Sequence, residues 1–132
     1  MDPGTLSAVQ GFAAISLILV SVAVVDEGGN LVAFARMDGA EVAGPTLAVD
    51  KAYTALANRV STADLAVQAA PGGPLFGLHA AAQGRFVIFG GGVPVRRGGE
   101  VVGAVGVSGA QVDQDTACAQ AGELAAEAAL GA

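Results

Sequence analysis

Positive charge is scarce in this sequence: six Lys and Arg stand against twelve Asp and Glu, a formal net charge of −6. Apart from Arg96–Arg97 the basic residues are scattered, so the basic stripe that nucleic acid requires is missing. Cysteine and histidine each occur once, as Cys118 and His79. A lone thiol closes no internal disulfide, and with a single imidazole it builds no structural zinc site. Cys118 lies in the alanine-rich "DTACAQAGELAAEAAL", where a small buried filler is the expected role. Tryptophan is absent and charged residues make up only 14%. A surface so poor in charge is often partly covered in an oligomer, so a homo-oligomer is expected.

What is present is apolar and small. Hydrophobic residues reach 53% and glycines number twenty, so the chain is not a disordered one. At 132 residues it is expected to form a single domain over 1–132. Residues 5–25, "TLSAVQGFAAISLILVSVAVV", carry no charge. The run holds Ser7, Gln10, Ser16 and Ser21, and its first half suits a short helix while "LVSVAVVD" suits a buried strand. Asp2 precedes it without Lys or Arg, and no A-x-A site follows, which argues against a signal peptide. The expectation is a cytoplasmic protein without a membrane partner.

"SVAVVDEGGNLVAFARMDGA" reads as two strands around a turn at 26–30. After Gly44 and Pro45, "TLAVDKAYTALANRV" has helical periodicity, and Ser61 or Thr62 can cap a second short helix. "LFGLHAAAQG" reads as a loop with a helical turn. Strands are expected at 85–89, 93–96 and 100–107, with a turn over 97–100, before a helix that starts at Asp113 or Asp115 and runs through Leu130. Turns this short forbid parallel crossovers, so an α+β fold with a mainly antiparallel five-stranded sheet flanked by helices is expected.

Eight glycines occur in "FGGGVPVRRGGEVVGAVGVSG". Gly90, Gly91 and Gly92 lead to Pro94 and another strand, not to a helix, so neither a dinucleotide fingerprint nor a P-loop is present. Either the glycines kink a sheet edge, or they let a flat ligand or another backbone approach closely. His79 is either a satisfied core or surface group or an axial ligand to haem iron. Met37 would be a softer ligand, but strand-end packing suits it better. Lys51, on one helix face with Thr54, is either a solvated lysine or a cation for a carboxylate or propionate. Ser108 lacks the strand–elbow–helix setting of a hydrolase nucleophile. Asp115 suits a helix start, and Asp26–Glu27 lie in a turn where they are solvated.

Four segments in order, "VSVAVVDEGGNLVAFARMDGA", "DKAYTA" followed by "ST", "GRFVIFGGGVPV" and "GEVVGAVGVSGAQVDQDTACAQAG", make most of the chain resemble the GlcG/HbpS-like proteins. That family also supplies the C-terminal domain of some corrinoid adenosyltransferases. The resemblance implies a profilin-like α/β/α sandwich and a dimer, tetramer or octamer. Some members bind haem, some are reported to degrade it, and others are linked to glycolate or cobalamin metabolism. Carried over by position, the family's pocket pattern falls on Lys51, Thr54, Gly90, Gly91, Gly92, Pro94, Ser108, Gly109 and Asp115. The N-terminal helix is shorter and more apolar here than in the family, and no lysine-rich leader supports extracellular sensing.

The function expected first is binding of haem or a related tetrapyrrole, with a contribution to haem degradation. An enzyme acting on a small organic acid or biosynthetic intermediate is the alternative, using Lys51, Asp38 and the glycine amides as oxyanion donors. A non-catalytic accessory subunit is the third reading.

Overall fold

Two tight turns set the geometry of the sheet. At the first, Asp26 Oδ1 accepts the amides of Gly28 and Asn30, each at 2.9 Å, and Gly29 takes φ 81°. This side-chain-closed turn joins β1 (Ser21–Asp26) to β2 (Leu31–Arg36). At the second, Gly98 and Gly99 both have positive φ and join β3 (Gly92–Arg97) to β4 (Glu100–Ser108). The strands pair antiparallel throughout in the order β2-β1-β4-β3. In this computed structural model residues 3–131 are described.

Helix α1 (Pro3–Ile15) precedes the first hairpin, and α2 (Gly44–Asn58) and α3 (Thr62–Gln68) lie between the hairpins. Two 3-10 turns follow, Leu78–Ala80 and Ala82–Gly84, and α4 (Val112–Ala129) ends the chain. Helix α2 takes Gly44 and Pro45 into its first turn, where the missing proline N–H leaves no acceptor unserved. It ends at Arg59, whose left-handed backbone returns its N–H to Ala55 O and Leu56 O. Ser61, rather than Thr62, caps α3 by accepting Asp64 N at 3.1 Å. Helix α4 starts just before the expected aspartates, at a capping box formed by Gln111 and Gln114.

The sheet has four strands, not the five expected. Residues 85–89 form no strand: Arg85 is in a turn, 86–88 are irregular and the chain bends at Phe89, while Val87 N donates to Thr54 Oγ1 on α2 at 3.0 Å instead of to the sheet. Phe86 stacks on Tyr53 of the same helix at 6.1 Å between ring centroids. The valine and phenylalanine alternation that suggested a strand therefore lies along a helix.

The two sheet faces differ in side-chain size. Val22, Val24, Val93, Val95, Val105 and Val107 meet α1 and α4 in one core cluster. On the other face Ala23, Val25 and Ala104 meet Ala48, Ala52 and Ala55 of α2. Alanines on both surfaces bring α2 so near that a Cβ at Gly106 would overlap the Ala48 carbonyl oxygen. Backbone contact replaces side-chain interdigitation there, and neither wall can yield. By contrast, Gly11 in α1 has open space around its Cβ position. In urea unfolding, Gly106→Ala is expected to cost about 3 kcal/mol or more, whereas Gly11→Ala gains up to about 1 kcal/mol through helix propensity.

Candidate functional site

Lys51 is only 1% exposed, on the sheet-facing side of α2. Its Nζ donates to Val107 O of β4 at 2.9 Å and to Asp115 Oδ2 of α4 at 3.1 Å. The second carboxylate oxygen, Asp115 Oδ1, accepts Ala110 N at 2.9 Å. The Phe89 ring covers the ammonium, with its centroid 5.1 Å from Nζ. Burial pushes the Lys51 ammonium below its ordinary range, partly offset by the Asp115 charge. Burial likewise pushes the Asp115 carboxyl upward, against the pull of Lys51.

The two signs point the same way. A raised carboxyl contributes stability below the ordinary carboxylate range and loses it as pH rises through the folded value. A lowered ammonium contributes above the ordinary lysine range and loses it as pH falls through the folded value. Near neutral pH the charged pair thus carries a desolvation cost, and what it returns is partners for a strand carbonyl and a loop amide.

The glycine run closes over this pair. Gly91 has φ 128°, and its carbonyl accepts Val107 N at 2.8 Å. A Cβ on Gly91 would stand 2.7 Å from Lys51 Nζ. Gly92 N donates to Thr62 Oγ1 at 2.9 Å, the role left to Thr62 once Ser61 caps the helix. Gly90 lies against Val112 and Thr116 of α4. Of the two readings of the run, close approach of other protein groups accounts for all three glycines.

Most of the expected site residues therefore meet at one end of the sheet. Lys51, Thr54, Gly90, Gly91, Gly92, Pro94 and Ser108 are all buried. Thr54 Oγ1 donates to Asp50 O at 2.6 Å while it accepts Val87 N. Gly109 follows β4 with φ 150°, packed against Leu19 and Val20. The oxyanion arrangement is not assembled: Lys51 is paired, Gly92 N is bonded to Thr62, and Asp38 is exposed in the turn after β2. His79 stands apart, exposed on the first 3-10 turn, and its ring makes no hydrogen bond among the described residues.

Sequence reasoning missed the clamp on segment 85–89. Arg85 Nε reaches Asp50 Oδ1 at 3.0 Å, and its guanidinium lies 4.0 Å from the Tyr53 ring centroid. The signal was the spacing of Asp50, Tyr53 and Thr54 on one stretch of helix. Two open clefts flank the start of α4. One of about 560 Å³ runs between residues 17–19, 39–41 and 109–111. The other, about 590 Å³, separates Ala63 of α3 from the first turns of α4. Neither is lined by His, Cys, Met or Tyr. Cys118 is buried and its thiol is pushed up to about 11, so it remains protonated and inert.

Residues 6–123 match the model of the family described as haem degrading protein HbpS-like. The chain belongs to this family. It is 46% identical over 101 residues to the Citrobacter freundii 15.0 kDa protein of the dhaT–dhaS intergenic region, covering 76% of this chain and 71% of that one. It is 40% identical to the corrinoid adenosyltransferase PduO of Salmonella typhimurium over 76% of this chain, yet spans only 30% of that enzyme. Among solved structures, the Klebsiella pneumoniae protein ORFY superposes with TM-score 0.91 at 37% identity, over 93% of this chain and 85% of that one. PduOC in complex with haem gives 0.90 at 35% identity, over 93% and 89%.

Since Nζ must donate to Val107 O and the carboxylate must accept Ala110 N, the pair has a direction. Lys51→Met should cost about 3–5 kcal/mol by leaving Asp115 buried and unpaired. The exchange Lys51→Asp/Asp115→Lys, though charge-complementary, should not restore the urea midpoint. A restored midpoint would mean that charge alone matters.

Proposed function

We propose that this protein is a cytoplasmic homo-oligomer that binds haem or a related tetrapyrrole. The observation that carries the reading is the likeness, over 93% of this chain, to a structure of PduOC with haem bound. A part in haem degradation, which the family description names, is a further step of the same reading. No described helix is long and apolar enough to cross a membrane.

The donor chemistry of the chain fits the group at one place. His79 offers an exposed imidazole, the side chain that serves haem iron as a proximal ligand. Leu75 and Phe76, four and three residues before it, are 38% and 63% exposed and supply apolar surface for a flat ring. Bound haem would supply the redox-active iron. Lys51, Thr54, Gly90, Gly91 and Gly92 act beneath the surface, holding segment 85–91 against α2 and α4, while Pro94, Ser108 and Gly109 belong to the sheet and the loop after it. Exposed Leu31, Val32 and Phe34 on the edge strand β2 favour association of copies.

Hemin titration followed through the Soret band, with mass tracked by light scattering, tests the reading. A saturable, stoichiometric shift on a stable oligomer is expected, and His79→Ala should remove the ligated spectrum. A flat or non-saturating response would overturn haem binding. An unchanged spectrum in His79→Ala would overturn the assigned ligand.

A further inference from the structure

The six basic side chains divide into two groups. Lys51 is paired with Asp115 and Arg85 with Asp50, whereas Arg36, Arg59, Arg96 and Arg97 form no salt bridge among the described residues. Four arginines thus stay outside ion pairs, although acidic residues outnumber basic ones two to one, and of these Arg36 is tied to Ala40 O in the turn after β2. Arg59 and Arg96 meet where the end of α2 approaches the turn between β3 and β4.

Arg96 is held in place there. Its Nη2 donates to Arg59 O at 3.1 Å, and its main-chain N donates to Glu127 Oε2 at 3.0 Å. Beside this contact lies a cleft of about 310 Å³ lined by Arg59, Arg96, Gly99, Glu100 and Val101. Gly98 and Gly99 leave open space where their side chains would be, so the turn does not block the entrance.

We infer that this cleft binds a protonated phosphate group, either free or at the end of a small phosphate monoester. Two guanidiniums that form no salt bridge, although the Arg96 charge is near enough to draw on Glu123, suit an oxyanion that accepts at more than one oxygen. Glu100 in the same lining would repel a bare anion but accepts a hydrogen bond from P–OH, a donor that sulfate lacks at neutral pH. The three side chains thus select for phosphate over an anion of the same size and shape. This inference is independent of haem, since none of its residues belongs to the proposed haem surface.

The test is an amide-shift titration of the full chain with inorganic phosphate and with sulfate, at constant ionic strength. Saturable shifts are expected at Arg59, Arg96, Gly99 and Val101, with sulfate at least about tenfold weaker. Arg59→Gln should weaken both anions, and Glu100→Gln should abolish the discrimination by raising sulfate binding. Both side chains are exposed, so both variants should keep the fold, which far-UV circular dichroism checks. Equal response to the two anions, or comparable shifts at Arg36 and Arg85, would mean an adventitious ion only and overturn the proposal. A parallel titration with glycerol phosphate separates the sources: tighter binding than inorganic phosphate assigns the monoester, and equal binding the free ion.

Discussion

The buried pair of Lys51 and Asp115 joins α2 directly to α4. The residues are 64 apart in sequence and sit in helices on opposite faces of the sheet, meeting around the end of β4. An ion pair alone is a poor reason to bury two charges, because desolvation offsets most of the attraction. This one is accompanied by hydrogen bonds to Val107 O and from Ala110 N. Those backbone groups lie where β4 gives way to the loop before α4, and the pair supplies partners that sheet and helix do not. Phe89 and Gly91 then close over the ammonium, so the glycine run takes its path from a lysine.

The same economy of space governs the sheet. Alanine on α2 and alanine or glycine on the facing strands let backbone approach backbone, while valines on the opposite face fill the wider gap to α1 and α4. A fold packed in this way has little need of large aromatics, consistent with the absence of tryptophan. Its sensitivity is to added volume rather than to lost volume. Aromatic side chains are instead used at the margin: Tyr53 and Phe86 clamp the 85–89 segment, and Phe89 lids the buried lysine.

Elements specified by local chemistry were legible in the sequence. The hairpin at 26–30 announces itself through an aspartate and two glycines, and the 97–100 turn through a glycine pair. The helix carrying Lys51 has its period written in alanines. Residues 85–89 misled because alternation of apolar residues reports burial on one side and not the partner that causes it. Here the partner is a helix, recruited by a threonine hydroxyl 33 positions earlier. For the site, the resemblance to a family brought Lys51, Thr54, the glycines and Asp115 together without saying how they are used. Depth cannot be read from spacing, and depth decides whether a lysine meets a ligand or a carboxylate.

The residues that carry the family resemblance are thus largely interior ones. Lys51, Thr54, Gly90 to Gly92 and Ser108 are shut in, and their contacts are with one another and with the backbone. A framework of this kind holds the 85–91 segment and the start of α4 in place whatever binds outside. In the functions proposed above, ligand choice falls to exposed side chains such as Leu75, Phe76 and His79, or Arg59 and Glu100, which can change without disturbing the frame. A shared frame with free surfaces explains physically why one fold can serve several ligands, and why similarity to the frame identifies the family more firmly than the ligand. Differences among relatives in what they bind should therefore lie in these surface segments, while substitutions at the buried pair should change stability first.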